Sequence, residues 1–287
     1  MTGGQIGVAG PFSGPRSAYG DLLKAAAAAI ISPSARIVFG DDKANPEHAV
    51  AVAKSFVDAG VCCVVGHFNS ECAAAAGQVY RDNLVPLLLP ASTKPGLASG
   101  IKAFRLCPTD DAQVQAMAGW IRARRVTAAG VWVDDTVYGR RLSSLFMTAC
   151  ARTGITVAPI PTGGSATLDP AAIAFFGAHH AVARSVLDMR RRGSRALALC
   201  CDDCTIDEFR HLVECQHEVF LAVPRPGFKQ ACEEAFRLLS AIGPEAGAVE
   251  VRRHLQAHPG FSDYEAVSAS FEICEMQRVP SSERLRA

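Results

Sequence analysis

RIVFGDDKANPEHAVAVAKSFVDAGVCCVV, residues 36–65, reads as one strand–helix–strand unit. Arg36–Phe39 is apolar after its first residue and Cys62–Val65 is wholly apolar, the pattern of strands covered on both faces. Between them Asn45 stands at the N-cap position, Pro46 opens the first turn and Gly60 follows the last. Val50, Ala53, Phe56 and Val57 recur at helical spacing, so residues 46–59 are predicted to form an amphipathic helix. Further strands are predicted at Ile6–Ala9, Leu87–Leu89, Gly130–Val133, Thr156–Ala158, Ile173–Phe176, Ala196–Cys200 and Val219–Val223, separated by helical stretches. Buried strands alternating with helices predict an α/β fold on mainly parallel sheets.

A chain of 287 residues exceeds the ~100–200 of one compact domain, so two lobes are expected. Hydrophobic residues make up 49% and charged ones 20%, enough for a sizeable core and too apolar for a disordered chain. The 29 basic and 28 acidic side chains nearly cancel, which excludes a globally basic nucleic-acid binder. No apolar run approaches the ~18 residues of a membrane span. Most of the eleven cysteines fall in apolar runs such as VCCVVG (61–66) and ALALCCD (196–202). No charged region followed by an apolar one precedes the first strand in MTGGQIGVAG. The expectation is free thiols in a reducing, cytoplasmic setting, or a periplasmic one if a leader has been removed.

Ligands of open parallel sheets bind beyond the carboxyl ends of the strands, so those loops are where to look. The first, Gly10 to Pro15, lacks the G-x-G-x-x-G spacing, and Pro11 and Pro15 remove backbone donors. A dinucleotide site is therefore disfavoured although Asp41 and Asp42 stand where a ribose-binding acid would. In Gly66-His67-Phe68-Asn69-Ser70-Glu71-Cys72, Ser70 either caps a helix or helps its free amides take an anion. Pro90-Ala91-Ser92-Thr93-Lys94-Pro95 is either a plain turn or a polar pocket floor. Cys201 and Cys204 with His211 and Cys215 imitate a zinc motif, but the six residues between the pairs are too few for the usual finger. Buried thiols are preferred there, and neither metal nor cofactor is expected. His179-His180 reads as a ligand contact, a surface pair or a catalytic pair. No G-x-S-x-G, P-loop or H-E-x-x-H occurs, so no catalytic residue is assigned. The arginine runs 122–125 and 190–192 end helices, where cations complement the helix dipole.

IGVAGPFSGPRSAYGD (6–21), DDKANPEHAVAVAKSFVDAGVCCVVGH (41–67) and PAST (90–93) together resemble the type I periplasmic-binding-protein fold. The nearest branch is the leucine/isoleucine/valine-binding proteins of ABC importers. The resemblance continues through FRLCPTDDAQ, VDDTVYGR and AIAFFGAHH to RRRG, roughly residues 5–225. It implies two Rossmann-like lobes with parallel sheets, joined by three crossing strands, with a ligand clamped between them. Lobe one is expected at 1–108 with 227–278 and lobe two at 109–225, with 279–287 as a tail. Pro108-Thr109 and Pro224-Arg225-Pro226 are the expected crossings.

By position, the resemblance implies that Ser70 and Thr93 hold a ligand carboxylate and that the Ala91 carbonyl meets an ammonium. Tyr19, Phe68, Asn69 and Tyr138 line the side-chain pocket, and Asp202, or Asp203 one residue on, pairs with the ammonium. Ser92 and Asp110 complete the ligand-binding set. His179 stands where amino-acid binders have an aromatic that helps hold the ligand. Asn69 and Glu71 make the pocket edge more polar than a leucine or valine side chain wants, and 161–170 is short for a crossover helix. The expected function is non-enzymatic binding of a small amino-acid-like or amide-like ligand, as a solute-binding protein or an intracellular sensor or carrier. Two rivals stay open: an enzyme acting on an amino-acid precursor through His179, Asp202 or Cys204, and a ligand-controlled regulatory subunit. No nucleic-acid partner or membrane span is expected, and a homodimer or partner protein is left open.

Overall fold

The computed structural model describes residues 4–33, 35–161, 170–213, 216–243 and 245–276. The chain divides into two compact units, Met1–Thr109 with Arg225–Ser270 and Asp110–Pro224 with Phe271–Ala287. It opens with β1 (Gln5–Gly10), α1 (Ser17–Ile30), β2 (Arg36–Asp41), α2 (Pro46–Asp58), β3 (Val61–Val65), α3 (Ser70–Asp82), β4 (Leu87–Leu89), α4 (Leu97–Ile101) and β5 (Phe104–Arg105). The second unit carries α5 (Asp110–Ala123), β6 (Ala128–Val133), α6 (Val137–Arg152), β7 (Thr156–Pro159), β8 (Ala172–Phe176), α7 (His179–Arg191), β9 (Leu197–Cys200), α8 (Asp207–Leu212) and β10 (Val219–Arg225). The chain returns through α9 (Phe228–Ser240), α10 (Ala248–Ala257), β11 (Phe261–Ser262) and β12 (Glu265–Ala266), and β13 (Ser270–Glu275) follows.

The predicted helix at 46–59 forms because its start is built as the sequence specifies: Asn45 Oδ1 accepts from the amides of Glu47 at 2.8 Å and His48 at 3.1 Å. Its inward face is Ala49, Ala53 and Phe56. Each of the nine predicted strands is present. The short β5, β11 and β12 are additions without a sequence signal, because two residues are too few to show a period.

The first sheet runs β11-β12-β5-β4-β3-β1-β2 and the second β13-β10-β9-β8-β6-β7. The pairs from β2 through β1, β3, β4 and β5 to β12 are parallel, and β11 with β12 is antiparallel. β1 lies between β2 and β3, so the winding reverses there. β6, between β7 and β8, does the same in the second unit. Crevices at such reversals, beyond the strand ends, receive ligands in this architecture. Val8, Val64, Val65, Leu88 and Leu89 are fully buried in the first sheet, as are Ala174, Phe176, Leu199 and Cys200 in the second.

Residues 271–278 were expected with the first lobe. β13 instead sits beside β10 in the second sheet. The reason is its alternation: Phe271 and Ile273 pack onto the second unit's core, along with Met276. Most of the 161–170 segment, residues 162–169, lies outside the described residues.

Candidate functional site

In the first unit the loop after β1 is held by Asp41, which ends β2. Its carboxylate accepts from the Phe12 amide at 2.9 Å, Ser13 Oγ at 2.5 Å and the Lys43 amide at 3.0 Å. Burial pushes its pKa up, but the bonds from Ser13, Lys43 and Phe12 outweigh it and hold it below the ordinary value. Asp41 thus organises a loop.

The loop after β3 turns on Gly66, at φ +127°. A Cβ there would lie 1.9 Å from the Ala9 carbonyl oxygen, so only glycine fits. His67 points into the core, with Nδ1 2.7 Å from Asp42 Oδ2 and Nε2 3.2 Å from the Tyr80 hydroxyl. Phe68 packs tilted against Tyr19, at 4.5 Å between ring centroids, and edge-on against Phe228 of α9 at 5.3 Å. Ser92 is fully buried and donates to the His67 carbonyl at 2.9 Å, so it ties the β3 and β4 loops together.

Ser70 is the first residue of α3, and the amides of a first helical turn have no acceptor within the helix. Its Oγ accepts from the Lys94 amide at 3.3 Å, which brings the Ala91–Thr93 loop to the helix start. Glu71 pairs with Lys94 at 3.2 Å. The fully buried Arg105 donates from Nη2 to the Lys94 carbonyl at 2.8 Å, with Nε 3.0 Å from the Glu265 carboxylate. Ala91 and Thr93 are buried. Asn69 Oδ1 is buried with no hydrogen-bond partner among the described residues.

In the second unit Asp202 opens the 3-10 turn that follows β9 and is 2% exposed. Tyr138 donates its hydroxyl to Asp202 Oδ1, and the Asp202 amide donates to Gln113 Oε1 at 3.1 Å. Asp110, fully buried at the start of α5, accepts from Arg141 Nε at 2.8 Å. Its Oδ1 and Gln113 Nε2 are buried without partners among the described residues. Burial and then the neighbouring Asp110 push the Asp202 pKa up to about 7, Asp203 adds to this, and the Tyr138 hydroxyl and the nearby Gln113 side chain pull it down. Burial also pushes the Tyr138 pKa up, with the charge of Asp202 adding to it.

His179 begins α7 just after Gly177, at φ +149°, where a Cβ would meet Asp134 at 2.2 Å. The His179 ring is buried, with Asp203 Oδ2 3.3 Å from Nδ1 and Glu208 Oε2 3.0 Å from Nε2. It faces these two carboxylates at the position where the resemblance puts an aromatic that helps hold the ligand. Cys201 and Cys204 are buried, His211 is exposed, and Cys215 lies outside the described residues.

The second unit therefore brings Asp110, Tyr138 and Asp202 together, and the first brings Ser70 to the loop of Ala91, Ser92 and Thr93. Sequence reasoning missed Gln113, Arg141, Glu208, Arg105 and Phe228. Gln113 lies three residues after Asp110, on the same helix face, which is a readable signal. The rest come from elements distant in sequence.

Two α/β units with parallel-dominant sheets, built by a chain that leaves the first and returns to it, are the architecture of type I periplasmic binding proteins. The family described as "Periplasmic binding protein" matches residues 4–174. The chain belongs to that family. A relative named Leu/Ile/Val-binding protein homolog 3, from Brucella melitensis biotype 1, is 30% identical over 200 residues, 61% of this chain and 54% of that protein. The Leu/Ile/Val-binding protein homolog 2 of Brucella abortus (strain 2308) is 33% identical over 120 residues, 38% of this chain and 32% of its own length. The chain thus matches only about a third to a half of these curated relatives.

Among solved structures, a branched-chain amino acid transporter substrate-binding protein from Streptococcus pneumoniae, in complex with isoleucine, superposes with a TM-score of 0.80. The identity is 17%, over 96% of this chain and 100% of that one. A leucine binding protein from Thermotoga maritima gives a TM-score of 0.79 at 18% identity, over 97% and 99%. At these identities the likeness is one of fold.

Proposed function

We propose that this protein reversibly binds a small amino-acid-like ligand without transforming it. The observation that carries the reading is Asp202, a buried carboxylate beside a second buried acid, Asp110, whose Oδ1 lacks a partner among the described residues. Arg141 already pairs with Asp110, so Asp202 is the carboxylate that calls for a cation, because an unpaired buried charge is costly. The first unit supports the opposite preference. The start of α3, with Ser70 and Thr93 beside it, suits a carboxylate, and the Ala91 carbonyl suits an ammonium. A zwitterion carries one group suited to each preference.

Tyr19, Phe68 and Asn69 are assigned to the ligand's side chain, as is Tyr138. The names of the relatives make leucine, isoleucine and valine the first ligands to try. The unpartnered Asn69 Oδ1 favours a side chain or amide that donates a hydrogen bond. The ten described cysteines are free thiols, which supports a reducing setting and a sensor or carrier role over that of an importer's receptor.

The test is native mass spectrometry of freshly purified protein, followed by calorimetry with leucine, isoleucine, valine, glutamine and acetamide. Saturable one-to-one binding of an unmodified amino acid or amide is expected. Conversion of the added compound to product would replace this reading with the enzymatic one.

A further inference from the structure

We propose that His179, His180 and Glu208 form a binding site for a divalent transition-metal ion. His179 and His180 open α7 and Glu208 lies on α8. Their ligand atoms lie within 4.8 Å of one another. Glu208 presents one carboxylate oxygen to each ring: Oε2 lies 3.0 Å from His179 Nε2 and Oε1 lies 2.9 Å from His180 Nε2. Ligand atoms in a tetrahedral zinc site stand about 3.3 Å apart, given metal–ligand bonds of about 2.0–2.1 Å, so small side-chain rotations suffice to admit an ion.

The second observation is the environment of the other His179 nitrogen. Asp203 Oδ2 lies 3.3 Å from Nδ1 and also accepts the His179 backbone amide at 2.8 Å. With its Nδ1 hydrogen directed at Asp203, the His179 ring presents Nε2 to Glu208, the orientation a metal ligand needs. A proton on Nε2 bridges the 3.0 Å to Glu208 in the metal-free protein, and a metal ion takes that proton's place on binding. The carboxylate–histidine arrangement that orients metal ligands is therefore present.

His180 and Glu208 are 34% and 40% exposed, so an ion can reach the group and keep water at a further position. Two imidazoles and a carboxylate favour zinc, cobalt, nickel or copper over calcium or magnesium. The amino-acid reading rests on Asp202, Asp110 and Tyr138, none of which is a ligand here, although Asp203 behind His179 adjoins Asp202.

Cobalt(II), titrated into the chelator-treated 287-residue chain, is the probe. One equivalent should bind with visible d–d absorption, without a thiolate charge-transfer band, and zinc should displace it. His180→Ala and Glu208→Gln should each weaken binding by about ten-fold or more, and Asp203→Asn by about ten-fold. A control variant at the exposed His211 should bind as the parent does. Melting curves establish that the variants fold, and amino-acid titrations on His180→Ala and Glu208→Gln report the other site, whereas Asp203→Asn also removes a charge beside Asp202. No saturable binding, a thiolate band, or parental affinity in both His180→Ala and Glu208→Gln would overturn the proposal.

Discussion

Tyr138 donates its phenolic hydroxyl to the carboxylate of Asp202, 64 residues away in sequence. The bond joins the first turn of α6 to the turn after β9 within one unit. It holds a carboxylate that water would otherwise solvate, and it places an aromatic ring beside the charge assigned to a ligand's ammonium.

Replacing Asp202 by Ala should leave that ammonium without a counter-charge and cost about 2–5 kcal/mol of affinity, roughly thirty-fold to several-thousand-fold. Ser70→Ala should cost less, about 1–2 kcal/mol, since the first-turn amides of α3 remain. Calorimetry with the ligand identified by mass spectrometry gives the ordering. Parental affinity in Asp202→Ala would remove the ammonium from this position.

With its pKa at about 7, Asp202 must lose a proton before it can pair with a cation. Affinity should therefore fall by about ten-fold from pH 8 to pH 6, with proton uptake by the buffer on binding. Calorimetry in buffers of different ionisation enthalpy measures that proton directly. An affinity flat across this range would exclude Asp202 as the titrating partner.

The same group makes an opposite prediction for the unliganded protein. Its folded pKa lies above the unfolded value of 3.8, so between those values the folded state binds more protons. Stability must then decrease as the pH rises from about 4 to about 7 and level off above, by at most roughly 4 kcal/mol from this residue. Urea titrations of Asp202→Asn against the parent should show this slope only in the parent.

Gly66→Ala should destabilise the first unit severely, by about 3 kcal/mol or more. The added methyl meets the Ala9 carbonyl oxygen at 1.9 Å, and φ +127° is closed to side chains. Chemical denaturation measures the loss. A change below about 1 kcal/mol would mean that the β3 loop relaxes freely.

Thiol chemistry tests the setting in which the protein works. Burial, with the charge of Asp42 second, pushes the Cys72 pKa up to about 12, and burial raises Cys150 to about 11. The nine buried thiols should react with a disulfide reagent only on unfolding, whereas Cys274 is partly exposed. In denaturant without reductant all eleven should titrate. Bridges in freshly prepared protein would point to an oxidising compartment.

The loops that carry Ser70 and Thr93 were legible because an apolar strand, a small-residue turn and a helix start follow one another along the chain. Asp202 was legible only through the resemblance. Its position after a strand shows nothing of Tyr138, Asp110 or Gln113, which arrive from two other helices. His179 shows the limit of sequence spacing more sharply: the pair at 179–180 gave three open readings, and the structure brings Asp203 and Glu208 to its ring nitrogens.

By itself the sequence determined the alternation of strands and helices, the capped helix predicted at 46–59 and the parallel architecture, because hydrophobic period, caps and turn residues act over a few neighbouring positions. Tertiary structure decided which polar groups share a low-dielectric environment, and so the raised pKa of Asp202, the burial of Arg105 and the carboxylates around His179. It also decided the sheet that β13 joins. Those properties depend on distances between residues far apart in the chain, which no local pattern records.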